Sequence, residues 1–199
     1  MKFTVGPIPE DPDFRPQAEQ WTMVREPTPG KMLLTSVSLA VFLGLATVVL
    51  WILLTPVDVD EIQVLWSIAV LPLCVPFHEI AHALGFPLTG WFARTCFGIW
   101  PSKCAFYAHY QGSLSRGRVL AVLFLPIALI TILPLGLCSI SQSVPPVVMY
   151  ASIGNVYLSS VDIVTAGLVR RQLPSNAVFR QQGLTAWWMT ASASHVGHA

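Results

Sequence analysis

Residues Val75–Phe86 read VPFHEIAHALGF, inside a longer apolar run. An ionisable side chain at mid-bilayer costs on the order of 2.5 kcal/mol or more, and such groups are functional by default. Two histidines and a glutamate in so apolar a segment therefore point to chemistry. His78, Glu79 and His82 form H-E-x-x-H. On a helix, positions four apart share a face, so both imidazoles can reach one tetrahedral ion at about 2.0–2.1 Å. Glu79 is placed to take a proton from a water on that ion. A purely structural polar cluster would need a charged partner, and the first and third apolar runs offer none.

The surroundings of the motif are as telling. The 199-residue chain is 54% hydrophobic and 11% charged, with a mean hydropathy of +0.63. Soluble domains carry roughly 25% charged residues, so the composition is that of an integral membrane protein. The net charge of +1 and the lack of a basic cluster exclude a nucleic-acid partner. Cys74, Cys96, Cys104 and Cys138 form no C-x-x-C pair and read as small apolar fillers, with Cys96 and Cys104 as an alternative bridge or ligand pair. The polar, proline-rich start does not have the form of a cleaved signal peptide.

Four runs are long enough to cross a bilayer, which takes about 20 helical residues. They are Met32–Leu54, Ile62–Phe86, Val119–Ile140 and Val147–Val169. All eleven Lys and Arg fall before the first run, between the second and third, or after the fourth. The connections at 55–61 and 141–146 hold none, and the first is acidic through Asp58, Asp60 and Glu61. By the positive-inside rule both termini are cytoplasmic. The fold expected is an all-α membrane protein of four transmembrane helices. It comprises a Pro-rich cytoplasmic segment 1–31, a transmembrane domain 32–169 and a cytoplasmic tail 170–199. A short interfacial helix is expected near Phe14–Met23. In the loop 90–118, the aromatic CAFYAHY reads as a strand or hairpin at the membrane face, and TAWWMT in the tail as an interfacial anchor.

Two histidines do not complete a catalytic zinc site, which takes three protein ligands and a water. Asp162 is the only other charged residue within an expected span, and its depth, about 10 Å below the cytoplasmic surface at 1.5 Å per residue, matches that of His82. His109 competes as third ligand, as an electrophile over the metal water, or as a surface histidine. Asn155, two turns before Asp162, would orient substrate or an oxyanion, or join Ser159 and Ser160 as helix-packing glue. Pro72 and Pro76 are expected to kink or restart the second span above the motif. His195 and His198 receive no role.

FHEIAHALGF, CAFYAHY with SLSR, the proline-bearing third span and GNVYLSSVDIV with RRQLP together resemble the DUF3267 zincin peptidases. These are similar in design to the site-2 class of intramembrane metalloproteases. The resemblance covers about Leu71–Gln181. It implies zinc ligation by His78, His82 and Asp162, with Glu79 as the catalytic glutamate. The chain departs from the site-2 pattern in its SVDIV context, where those enzymes place an L-D-G, and in being too short for a PDZ-like domain.

The activity expected is that of a zinc-dependent intramembrane endopeptidase with one Zn²⁺ per chain, in a bacterial inner membrane. Its partners would be the lipid bilayer and a membrane protein or peptide substrate, held along the CAFYAHY edge by strand addition. A metal-clipped scaffold or pseudoprotease, and a divalent-metal carrier, are the alternatives.

Overall fold

The structure, a computed structural model, describes residues 1–57, 61–103 and 105–190, with the backbone alone for 61–68 and 71. Asp58, Asp60, Cys104, His195 and His198 lie outside the described residues. Four long helices carry the chain: α1 (Pro29–Leu54), α2 (Glu61–Leu84), α3 (Arg116–Ser141) and α4 (Pro146–Gln172). Among the described residues α1, α3 and α4 are long and apolar enough to cross a membrane. At 1.5 Å per residue a 26-residue helix such as α1 is about 39 Å long, more than the hydrocarbon thickness of about 30 Å.

The chain is not all-α. Among the described residues seven strands form two sheets, with β1 (Lys2–Val5), β2 (Thr22–Met23), β3 (Thr95–Trp100), β4 (Ala105–Tyr110), β5 (Leu114–Ser115), β6 (Ala177–Gln182) and β7 (Thr185–Thr190). The sheet orders are β1-β3-β4 and β2-β7-β6-β5. The expected hairpin is present as β3 and β4. The expected interfacial helix near Phe14–Met23 is not: turns lead there into β2, which pairs with β7. TAWWMT is β7, an inner strand of the second sheet. The departure at the lead has a physical cause. Strand pairing joins residues far apart in sequence, so the lead and the tail find partners that neither shows locally.

The chain divides into two compact units. The helical unit comprises Pro27–His82 and Leu123–Val164. In it α1 buries a stripe of small residues, Ser36, Ala40, Gly44 and Thr47, ending at fully buried Trp51. A Cβ on Gly44 would stand 2.9 Å from Tyr157 Oη, the close approach that small residues permit in membranes. The Trp51 indole N–H donates to Ser152 Oγ (3.2 Å), and the ring packs with Leu135, Cys138 and Met149. α2 continues through Pro72 and Pro76 without a restart. The irregular helix is α3, where Ile127–Ile132 forms a π turn between Pro126 and Pro134. Leu133 N–H reaches back five residues to Ala128 O. Proline has no N–H to continue the α ladder, and a widened turn accommodates the missing bonds.

The strand-bearing unit comprises Met1–Glu26, Ala83–Val122 and the chain from Thr165 onward. β1 lies parallel to β3 in the register Lys2↔Cys96 to Val5↔Ile99. Tyr107 Oη donates towards Pro7 O (3.1 Å) and Gly6 O (3.3 Å), and Thr4 Oγ1 contacts Cys96 Sγ (3.1 Å). Arg180 pairs with Asp11 and lies over the Phe14 ring, which ties the lead to β6.

Gly98 makes the β1 pairing possible. A Cβ there would overlap the Tyr107 ring and stand 2.8 Å from Thr4 O. Gly98→Ala is expected to displace β1, at the cost of about 1–3 kcal/mol typical of overpacking. Hydrogen exchange checks this: Lys2–Val5 should lose protection while β6 and β7 keep theirs, and unchanged protection at Lys2–Val5 would contradict it.

Candidate metal centre

Inside the helical unit, α2 brings His78 and His82 to one face and α4 brings Asp162 against them. His78 Nε2 lies 3.1 Å from Asp162 Oδ2 and 3.1 Å from His82 Nε2. His82 Nε2 lies 3.4 Å from Asp162 Oδ1. The three residues offer donor atoms that all fall within 4.8 Å of one another. Both imidazoles are buried and Asp162 is nearly so.

The protonation of His78 follows from its neighbours. Asn155 Nδ2 donates to Pro126 O (3.1 Å) and to Thr131 Oγ1 (3.0 Å). Both are acceptors, since Thr131 spends its own hydrogen on Ser152 O (3.0 Å). The amide is therefore oriented with Oδ1 toward His78 Nδ1, 2.9 Å away. An amide oxygen can only accept, so Nδ1 carries the proton and a neutral His78 presents a lone pair at Nε2.

A cluster of this kind suits a cation. At about 2.05 Å per bond, the donors of a tetrahedral ion stand about 3.3 Å apart, against 3.1, 3.1 and 3.4 Å here. Two imidazoles and one carboxylate are the donor set of catalytic zinc sites that keep a fourth position for water. Glu79, next to His78 on α2, is partly buried.

Other residues singled out in the sequence have different settings. Asn155 is fully buried; its amide, expected to face substrate or an oxyanion, is committed at both ends to holding His78. Ser160 Oγ donates to Tyr157 O within α4 (2.7 Å), and Ser159 is fully buried in the packing. His109 lies on β4 opposite Cys96, in the strand-bearing unit. Rather than a surface histidine, it is buried. Burial first, and then the Arg180 guanidinium, pull its pKa down to about 4, so the ring is neutral at pH 7. Cys74, Cys96 and Cys138 are free and buried. Sequence reasoning missed Thr131 and Ser152, which complete the relay behind His78. The one polar side chain in ALITIL was the available signal for Thr131.

The family model described as "Putative zincin peptidase" (DUF3267) matches residues 71–178, more than half of the chain. No curated protein and no solved structure matches.

Second partners that orient a metal ligand are typically worth 10–100-fold in metal affinity. Asn155→Ala should therefore weaken zinc binding about 10–100-fold in competition with a chromophoric chelator. Wild-type affinity in that variant would contradict the orienting role. His109 supplies a pH prediction. An unfolded histidine titrates near 6.5, above the folded value of about 4. Between these limits the unfolded chain binds more protons, so the His109 contribution to stability is complete above about pH 6.5 and declines as pH falls toward 4. In a histidine-labelled NMR titration the His109 ring should stay neutral down to about pH 5; a midpoint near 6.5 would contradict this.

Proposed function

The chain belongs to the DUF3267 family, and we propose on that footing that it is a zinc-dependent endopeptidase of membrane-embedded or membrane-proximal peptide segments. The observation that carries this reading is the convergence of His78, His82 and Asp162, with the glutamate of H-E-x-x-H beside them. Zn²⁺ held by those three residues would supply Lewis acidity and bring the pKa of a bound water toward 7. Glu79 accepts the proton of the attacking water and returns it to the departing amine. His78 keeps its Nε2 lone pair aimed at the site because Asn155, itself held by Pro126 and Thr131, accepts from the other side of the ring. The carboxylate of Asp162 supplies the negative charge that balances a divalent ion.

The apolar setting supports this choice of substrate class. α4, which carries Asp162, is itself long and apolar enough to span, so segments that reach the site come from the bilayer or its edge. α2 crosses as a fourth span in this reading, with both termini cytoplasmic in a bacterial inner membrane. The all-or-none partition of Lys and Arg supports that orientation.

Metal content and cleavage of transmembrane peptides, measured together on purified protein, test the proposal. Wild type should hold about one zinc and cut, as expected for a three-ligand catalytic site. Glu79→Gln should keep the metal and lose cleavage by at least the 10²-fold attributed to general base catalysis. Asp162→Asn should lose the metal. A Glu79→Gln variant that cuts at the wild-type rate would overturn the assignment; metal retention without any wild-type turnover would favour the scaffold.

A further inference from the structure

The sheet of β1, β3 and β4 has two unlike faces. Side chains alternate along a strand, and the registers Phe3↔Phe97↔Ala108 and Val5↔Ile99↔Phe106 place six apolar residues on one face. The other face buries Cys96, Gly98, Tyr107 and His109 at its centre, with Thr4, Trp100 and Ala105 partly buried and Lys2 exposed at its edge. The apolar face is closed at its base, where Thr95 and Tyr110 are buried, and open beyond it: Phe3 is 65% exposed, Val5 70% and Phe106 40%, with Phe97, Ile99 and Ala108 partly exposed. An exposed, contiguous apolar patch marks an interaction surface.

We propose that this face is a lipid-binding surface, lying in the headgroup–acyl boundary of an anionic bilayer. Two observations select lipid. First, charge: Ala83–Val122 contains Arg94, Lys103, Arg116 and Arg118 and no Asp or Glu. Arg94 and Lys103, both exposed, stand at the base and the tip of the β3–β4 hairpin. Basic residues around an apolar face are the pattern of surfaces that bind anionic membranes. Second, the same unit exposes further large apolar side chains on the segment that leads into β3, at Leu84, Leu88 (89%) and Phe92. The depth is also limited. An open sheet cannot lie in hydrocarbon with unpaired edges, which leaves the interface. β1 thus supplies two of the six residues of the face, and the N-terminal strand becomes part of the membrane contact.

The inference rests on the membrane reading and is independent of the peptidase chemistry. It is tested with the full-length protein in vesicles of phosphatidylcholine and phosphatidylglycerol. A photo-crosslinking phenylalanine is placed singly at Val5, Phe106, Leu45 on α1 and Glu19, and lipid adducts are read by mass spectrometry. Val5 and Phe106 should form lipid adducts at a yield comparable to Leu45 and several times that of Glu19. Arg94→Glu with Lys103→Glu should lower the phosphatidylglycerol share of those adducts. Adducts at Leu45 with only the Glu19 background at Val5 and Phe106 would overturn the sheet's role alone. So would crosslinks from Val5 and Phe106 to a second protein chain. No adduct at Leu45 would overturn the membrane reading and this inference with it.

Discussion

The hydrogen bond from His78 Nδ1–H to Asn155 Oδ1 sets the character of the whole helical unit. It uses the one proton of a neutral imidazole on the side away from Asp162. What remains on the other side is a buried meeting of lone pairs, from His78 Nε2, from the carboxylate of Asp162 and within reach of His82. A divalent cation among those atoms would take a ligand from each of the three residues, the donor set of a catalytic zinc site. The arrangement depends on helix geometry: His78 and His82 share a face of α2, and Asn155 and Asp162, two turns apart, share one of α4.

The relay behind His78 links this geometry to the rest of the helical unit. Ser152 accepts from Trp51 on α1 through its hydroxyl and from Thr131 on α3 through its carbonyl. Asn155 in turn draws on Pro126 and Thr131, which bracket most of the π turn. An unbroken α-helix would place these groups on different faces. The π turn between two prolines brings both into reach of one amide. Such turns recur at functional sites, and here the physical use is plain: it orients a ligand from behind while keeping polar groups paired in an apolar layer.

Much of the site was legible in the sequence because it rests on local periodicity and on solvation cost. H-E-x-x-H declares its own geometry, and Asp162 stood out as the only other charge in an apolar run. The β3–β4 hairpin was legible from its aromatic run between Pro and Gly. The second sheet was not, since β2 and β7 are joined across most of the chain and neither TM nor TAWWMT signals its partner. The π turn was hidden as well. Pro72 and Pro76 pointed to a restart in α2, yet α2 runs through them and it is α3 that widens, between Pro126 and Pro134. Asn155 could be read from the sequence either as helix-packing glue or as an amide for substrate or an oxyanion, because an amide's partners are fixed only once Thr131 and Pro126 are placed.

The most direct test of the metal centre is X-ray absorption at the zinc edge on the purified full-length protein. The account predicts a shell of nitrogen and oxygen alone at about 2.0–2.1 Å, with the multiple scattering of two imidazoles and no sulfur. A zinc shell containing sulfur at about 2.3 Å would move the metal to the cysteines, and a protein that binds no zinc would leave His78, His82 and Asp162 without the cation their geometry calls for.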